Sequence, residues 1–238
     1  MAADIFTKQW HDPTLQQFRL VALDLPGHGQ SPPALGHYSL PAMRAVVLAA
    51  VRALRLEQAL VVAHSYAGLL FLELLPELPR LRGLMAVGAP PVSTPENVQA
   101  AFQFNDTVML YYTLEVNAVQ AEAMAHYALT PKAPHEVIAL LTADIRRTDG
   151  RARTDLGASL AAGAIGDQVG HVARTHVPLA FVAGTLDRGL HLAYFDSLAA
   201  SSRWGEPVNL IPATGHSPFI ESPAAFTQLL LAFAAATA

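Results

Sequence analysis

The sequence predicts an α/β protein in which a mostly parallel sheet, flanked by helices, is interrupted by a helical insertion. Three observations carry that prediction. Short apolar runs rich in Val, Leu and Ala alternate with segments of helical period from residue 18 to residue 90. The same alternation returns near residue 178, and the stretch between reads as helix punctuated by Pro and Gly, with no strand-like run. Strand, helix and strand in repetition imply a parallel sheet, because a helical crossover returns the chain to the edge from which the previous strand began.

Taken in order, "FRLVALDL" from Phe18 reads as a strand buried on both faces. "PAMRAVVLAAVRALR" then places Met43, Val46, Val47, Ala50, Val51 and Leu54 on one helical stripe, with Pro41 suited to the first turn. "ALVVAHS" reads as strand, "YAGLLFLELLPEL" as helix and "RGLMAVGAP" as strand. After the insertion come the strand "PLAFVAGTLD", the helix "HLAYFDSLAASS", the strand "PVNLIPATGH" and the closing helix "PAAFTQLLLAFAAA". No internal repeat or low-complexity tract breaks the pattern.

Composition narrows the function. With 238 residues and 52% hydrophobic content the chain can bury a sizeable core. Its 15 Lys and Arg are scattered and the formal net charge is -4, so no basic stripe points to nucleic acid, and a small neutral or apolar ligand fits better. The absence of cysteine removes disulfides, Cys-based metal sites and a Cys nucleophile together. The start "MAADIFTKQW" lacks a signal-peptide pattern, and no stretch approaches the roughly 18 uninterrupted apolar residues of a membrane span. The expectation is a cytoplasmic protein that needs no membrane. The histidines show no paired metal spacing, so neither a metal nor a cofactor is expected.

In an open parallel sheet, ligands meet the protein at the carboxyl ends of the strands. Three chemically useful residues fall there: Ser65 closes "ALVVAHS", Asp187 closes "PLAFVAGTLD" and His216 closes "PVNLIPATGH". A serine hydroxyl is a poor nucleophile until a base takes its proton. Histidine supplies that base near neutral pH, and a carboxylate holds its tautomer and steadies the imidazolium. Ser65 also sits where a helix begins, so the N–H of Tyr66 points toward whatever the hydroxyl attacks.

With these residues identified, the chain resembles the α/β-hydrolase superfamily from about Trp10 onward. "LDLPGHGQS" looks like the loop after the fourth strand in its lid-bearing, esterase-like members. "VVAHSYAG" looks like the nucleophile elbow, "AGTLDR" like the acid loop and "TGHSPFIESP" like the histidine loop. The resemblance implies Ser65 as nucleophile, Asp187 as acid, His216 as base and the Tyr66 N–H as an oxyanion donor. It implies a core over residues 1–90 and 170–238 and a helical cap over residues 91–169. Phe102, Phe104 and Tyr112, in that insertion, are the expected apolar contacts to substrate.

Two features depart from the family pattern. Ala63 and Ala67 stand where the elbow motif carries glycine, a change of one methyl each that the turn is expected to absorb. Family members also carry about three strands and a His-Gly oxyanion loop ahead of the point where this sequence begins. Residues Ala3 to Thr7 are the candidate for a short replacement strand. The second oxyanion donor would then come from an upstream start, a rearranged terminus or a homodimer partner. The reading that follows is a serine hydrolase cleaving a carboxylic ester of a small, mainly apolar substrate. The alternatives are a non-catalytic or weakly active binding protein on the same scaffold, and a carbon–carbon bond hydrolase, lactonase or hydroxynitrile lyase using the same triad.

Overall fold

The computed structural model describes residues 2–238. Its first turns are a 3-10 helix, Ala3–Phe6, and a short helix α1 (Thr7–Trp10), followed by α2 (Leu40–Ala53). The sheet holds β1 (Leu60–His64), β2 (Gly83–Val87), β3 (Leu179–Gly184) and β4 (Asn209–Ile211), side by side in that order and all parallel. Helix α3 (Tyr66–Leu74) connects β1 to β2. Between β2 and β3 lie α4 (Pro95–Ala101), α5 (Asp106–Met109), α6 (Ala118–Ala128), α7 (His135–Arg147), α8 (Gly150–Ala161) and α9 (Gln168–Arg174), the insertion anticipated from sequence. The chain closes with α10 (Pro218–Glu221) and α11 (Pro223–Ala236).

Side-chain alternation assigns the apolar residues of β2 and β3 to two cores. Leu84 and Ala86 of β2 join Leu179, Phe181 and Ala183 of β3 under α2 and α3, which contribute Met43, Val47, Val51, Leu70, Leu72 and Leu74. Their neighbours Met85, Val87, Ala180 and Val182 face the other way, onto Ile5, Phe219, Phe226 and Phe233. Every residue of β2 and β3 is buried, which is why both read as unbroken apolar runs. A third, separate cluster joins α6 to α7 through Ala121, Met124, Ala125, Leu141 and Ile145. Helix α6 starts on a reciprocal cap: the Asn117 side chain accepts from the Gln120 N–H, and the Gln120 side chain accepts from the Asn117 N–H.

Several elements differ from the sequence reading. Phe18–Leu25 runs without ladder bonds, leaving Phe18, Val21 and Leu23 exposed. A strand exists only through a hydrogen-bonded neighbour. Here β1 pairs with β2 alone, and a cavity of about 710 Å³ is lined by Leu60, Val61 and Val62 of β1 and by Leu20, Val21, Ala22 and Leu23. Ala3–Thr7 is helical rather than a replacement strand: Ala3 and Ile5 lie in the 3-10 turn, where Ile5 reaches the second core. Helix α3 stops at Leu74, two residues before Pro76, whose ring disfavours helix in the residue before it. The helix expected from His191 contracts to a 3-10 turn, Leu192–Ser197.

The ladder registers decide where the chemistry collects. Leu60 pairs with Gly83 and His64 with Val87, Val87 pairs with Val182, and Gly184 pairs with Ile211. The carboxyl ends of all four strands therefore lie along one edge. Ser65, Gly88, Asp187 and His216 all leave the sheet there.

Candidate active site

Ser65 sits between the last residue of β1 and the first of α3 with φ 52° and ψ -122°. A non-glycine residue in that region carries about 1–3 kcal/mol of strain, held by its surroundings. The surroundings are visible: the Ser65 N–H donates to the Val87 carbonyl at 2.8 Å, and its own carbonyl accepts from the Leu69 N–H at 3.2 Å. The turn is sharp because α3 crosses close behind it. A Cβ on Gly68 would lie 2.3 Å from Ala89 Cβ, so Gly68 is the position that must be glycine, while Ala63 and Ala67 are accommodated. The Ser65 hydroxyl makes no cap bond to α3 and lines the 710 Å³ cavity.

His216 lines the same cavity. Its Nδ1–H donates to Asp187 Oδ2 at 2.8 Å, and the other carboxylate oxygen accepts from the Gly189 N–H at 2.8 Å. The Asp187 side chain is fully buried, and that of His216 is 20% exposed. Burial opposes charge on the imidazole, but the Asp187 carboxylate, through its charge and its hydrogen bond, outweighs it and holds the pKa above the ordinary histidine value. With Nδ1 committed to the carboxylate, Nε2 is the nitrogen left to exchange a proton with a ligand.

Behind the pair stands His64. Its ring is 4.8 Å from that of His216 and 4.9 Å from that of Phe219, and its Nε2–H donates to the His216 carbonyl at 2.9 Å. Burial pushes its pKa well below the usual value, and the neighbouring His216 adds to this, so it stays neutral. Gly88 closes the other side. It has φ +62°, and a Cβ there would lie 2.7 Å from His216 Cε1. Sequence reasoning passed over Gly88; the available signal was a glycine immediately after a buried strand at the carboxyl edge.

The remaining site residues also gather at the cavity. Phe102, Phe104 and Tyr112 all line it. Phe102 and Phe104 lie on the extended link after α4, where Phe102 bridges to Leu190, and Tyr112 lies in a 3-10 turn. The first N–H groups of a helix have no partner within it, which leaves the Tyr66 N–H available beside Ser65. Ala2 and Ala3 line the cavity too, but their N–H groups donate to Asp144 Oδ2 at 3.0 Å and Asp24 Oδ1 at 2.6 Å. Asp24 thereby acts as a loop organiser, and it also accepts from the Gln30 N–H. His28, pushed down to about 4 by burial, donates from Nδ1 to the Pro26 carbonyl. Among the described residues no group of three or more His, Asp or Glu is arranged to hold a metal, and no helix is long and apolar enough to cross a membrane.

Comparison with known proteins agrees with this architecture. A pimeloyl-[acyl-carrier protein] methyl ester esterase from Yersinia enterocolitica (serotype O:8 / biotype 1B) is 29% identical over 249 residues, covering 94% of this chain and 87% of its own. The crystal structure of the N-acyl homoserine lactonase AidH, complexed with N-butanoyl homoserine, superposes with a TM-score of 0.88 at 28% identity. That match covers 98% of this chain and 84% of the other. A thermophilic esterase from Thermogutta terrifontis shares the fold, with a TM-score of 0.81 at 17% identity, covering 100% of this chain and 86% of the other. The family model described as "Alpha/beta hydrolase family" matches residues 5–229. With that match across nearly its whole length, and a helical insertion set over a parallel sheet, the chain belongs to the alpha/beta hydrolase family.

Proposed function

We propose that the protein is a serine hydrolase of small acyl esters, with Ser65 as nucleophile, His216 as base and Asp187 as the acid that orients it. The observation that carries this reading is the strained Ser65 turn opening, with the His216–Asp187 pair, onto one largely apolar cavity. His216 Nε2 takes the Ser65 proton as Oγ attacks the acyl carbon, and the oxyanion forms beside the Tyr66 N–H. The protonated imidazole then gives its proton to the leaving alcohol. Water, activated by the same nitrogen, releases the acid. Residues 91–169 serve as the cap, with Phe102, Phe104 and Tyr112 against the acyl chain, and the reaction needs no cofactor.

Within that class we favour a cyclic ester over the linear carboxylic ester that the sequence ranked first. The AidH structures, at a TM-score of 0.88 and 27–28% identity, include complexes with N-butanoyl homoserine and N-hexanoyl homoserine lactone. The linear reading retains support from the methyl ester esterase relative at 29% identity. A lactone differs in one chemical respect: its leaving hydroxyl stays tethered to the acyl group, so water must compete with re-closure of the ring.

The test compares N-hexanoyl homoserine lactone with p-nitrophenyl hexanoate, using wild type and Ser65→Ala side by side, with the ring-opened acid followed by mass. Turnover of the lactone that falls by at least about 1000-fold in the variant supports the reading. Equal rates in the two proteins remove Ser65 from the mechanism, and turnover of the linear ester alone restores the linear assignment. No turnover of either by wild type favours the alternative of a non-catalytic protein on the same scaffold.

A further inference from the structure

The carboxyl end of α6 is the meeting point of the two loops that hold Asp187 and His216. A helix leaves its last carbonyls without internal partners, and here both loops supply them. The Arg188 guanidinium, one residue after Asp187, donates to the carbonyls of His126, Tyr127 and Leu129 and lies over the Tyr127 ring at 5.1 Å. The Tyr127 hydroxyl returns a bond to the Arg188 carbonyl at 2.6 Å. From the other side, the His216 N–H donates to the Ala128 carbonyl at 3.0 Å.

Glu221 completes the junction. One carboxylate oxygen accepts from both the N–H and the hydroxyl of Thr130, each at 2.6 Å, and the other accepts from the Gly215 N–H at 2.6 Å. Thr130 belongs to the insertion and Gly215 immediately precedes His216, so a single carboxylate joins the two. The approach is close: a Cβ on Gly215 would lie 3.1 Å from the Ala128 carbonyl oxygen and 3.2 Å from Glu221 Oε2, so its neighbours would have to give by a few tenths of an ångström. The Glu221 carboxylate hydrogen-bonds neither the imidazole nor Asp187; its bonds go to the Gly215 N–H and to Thr130.

We propose that Glu221 is a positioning residue that fixes the His216 loop against the cap, so that the base is aligned on Asp187 only while the cap is seated. The acid and base loops share one reference, the end of α6. A shift of the insertion displaces both, and the Glu221 carboxylate carries that displacement to His216. This inference rests on the assignment of His216 as the catalytic base.

The test uses Glu221→Ala, Glu221→Gln and Thr130→Val in the full chain, with two readouts. One is kcat and KM on p-nitrophenyl hexanoate. The other is the downfield proton resonance of His216 Nδ1–H, which reports the bond to Asp187 whether or not turnover occurs. The expected result for Glu221→Ala is a kcat lower by about 100-fold with KM within about twofold, because angstrom-scale misplacement of a catalytic group costs that much. The resonance should broaden or vanish. Glu221→Gln, which keeps acceptor capacity on one side only, should fall between it and wild type. Thr130→Val removes one hydroxyl bond at a distance from the imidazole and should move both readouts in the same direction by less.

A Glu221→Ala variant with wild-type kcat, or one that loses kcat while the resonance is unchanged, overturns the proposal. Should Glu221→Ala fail to fold, wild-type kcat in both Glu221→Gln and Thr130→Val does the same. Absence of turnover of both p-nitrophenyl hexanoate and N-hexanoyl homoserine lactone in wild type would count against the hydrolase assignment instead, and the resonance would still decide whether Glu221 holds His216.

Discussion

Replacing Gly88 by alanine perturbs the His216 ring without altering Ser65, Asp187 or His216 themselves. The added Cβ would sit 2.7 Å from His216 Cε1 and 3.0 Å from Nδ1. Carbon atoms rest at about 3.5 Å, so the ring must retreat by about 0.8 Å. The Nδ1–Oδ2 contact with Asp187 starts at 2.8 Å, and a retreat of that size directed away from the carboxylate stretches it to about 3.6 Å, past useful hydrogen-bond geometry. A further cost comes from φ +62° at position 88, where an L side chain loses about 1–2 kcal/mol. In a chain of this length each kcal/mol moves the thermal midpoint by roughly 2–4 °C. The expected outcome for Gly88→Ala is a modest fall in midpoint, on the order of 2–8 °C, with a kcat about 100-fold lower on p-nitrophenyl hexanoate. A variant that is folded at the assay temperature and keeps kcat within roughly threefold of wild type would refute the reasoning. It would mean that the imidazole accommodates the methyl group without losing its alignment.

Further outcomes follow from other contacts of the site. Because Asp187 holds the His216 pKa above its ordinary value despite burial, the acid limb of kcat/KM should lie above about 6.5. Asp187→Asn should move that limb down, since burial then acts alone, and lower kcat by about 10⁴-fold; a pH–rate profile that leaves the limb in place would count against the pair. The sign for stability is opposite to that for activity. The pair's contribution is fully present below the unfolded histidine pKa and is lost as pH rises through the folded one, so the stability gap between wild type and Asp187→Asn should narrow with rising pH. Gly68→Ala, with its Cβ 2.3 Å from that of Ala89, should cost about 1–3 kcal/mol in a denaturant titration. Adding Ala89→Gly should restore most of it, and no recovery in the double variant would place the clash elsewhere. Tyr112→Ala opens the cavity wall and should change the ratio of kcat/KM between p-nitrophenyl decanoate and butyrate by about tenfold or more; an unchanged ratio would remove Tyr112 from chain selection.

Much of the sheet could be read directly, and what could not has identifiable causes. β2 and β3 are buried on both faces by their own neighbours, so apolar continuity alone marked them. Phe18–Leu25 is also rich in apolar residues and is not a strand, because strand formation depends on a partner that no local pattern can specify. The helix that begins at Tyr66 was visible, but its end depended on Pro76. Ser65, Asp187 and His216 could be picked out because each follows an apolar run, and the parallel registers that bring those run ends together are what the alternating pattern implies. Glu221 could not: its partner Thr130 lies 91 residues away, and nothing near either residue signals the other. Arg188 is similarly opaque, since its targets are backbone carbonyls that carry no sequence identity.

The strained backbone of Ser65 bears on how this scaffold responds to selection. Glycine adopts φ near +52° without the penalty that serine carries there. Ser65→Gly therefore relieves strain at the moment it removes the hydroxyl proposed as nucleophile. A library sorted only for heat resistance would enrich that change, and its winners would be sturdier proteins with no hydroxyl to acylate. Directed evolution of this chain must score turnover in every round, because at residue 65 durability and chemistry pull toward different amino acids.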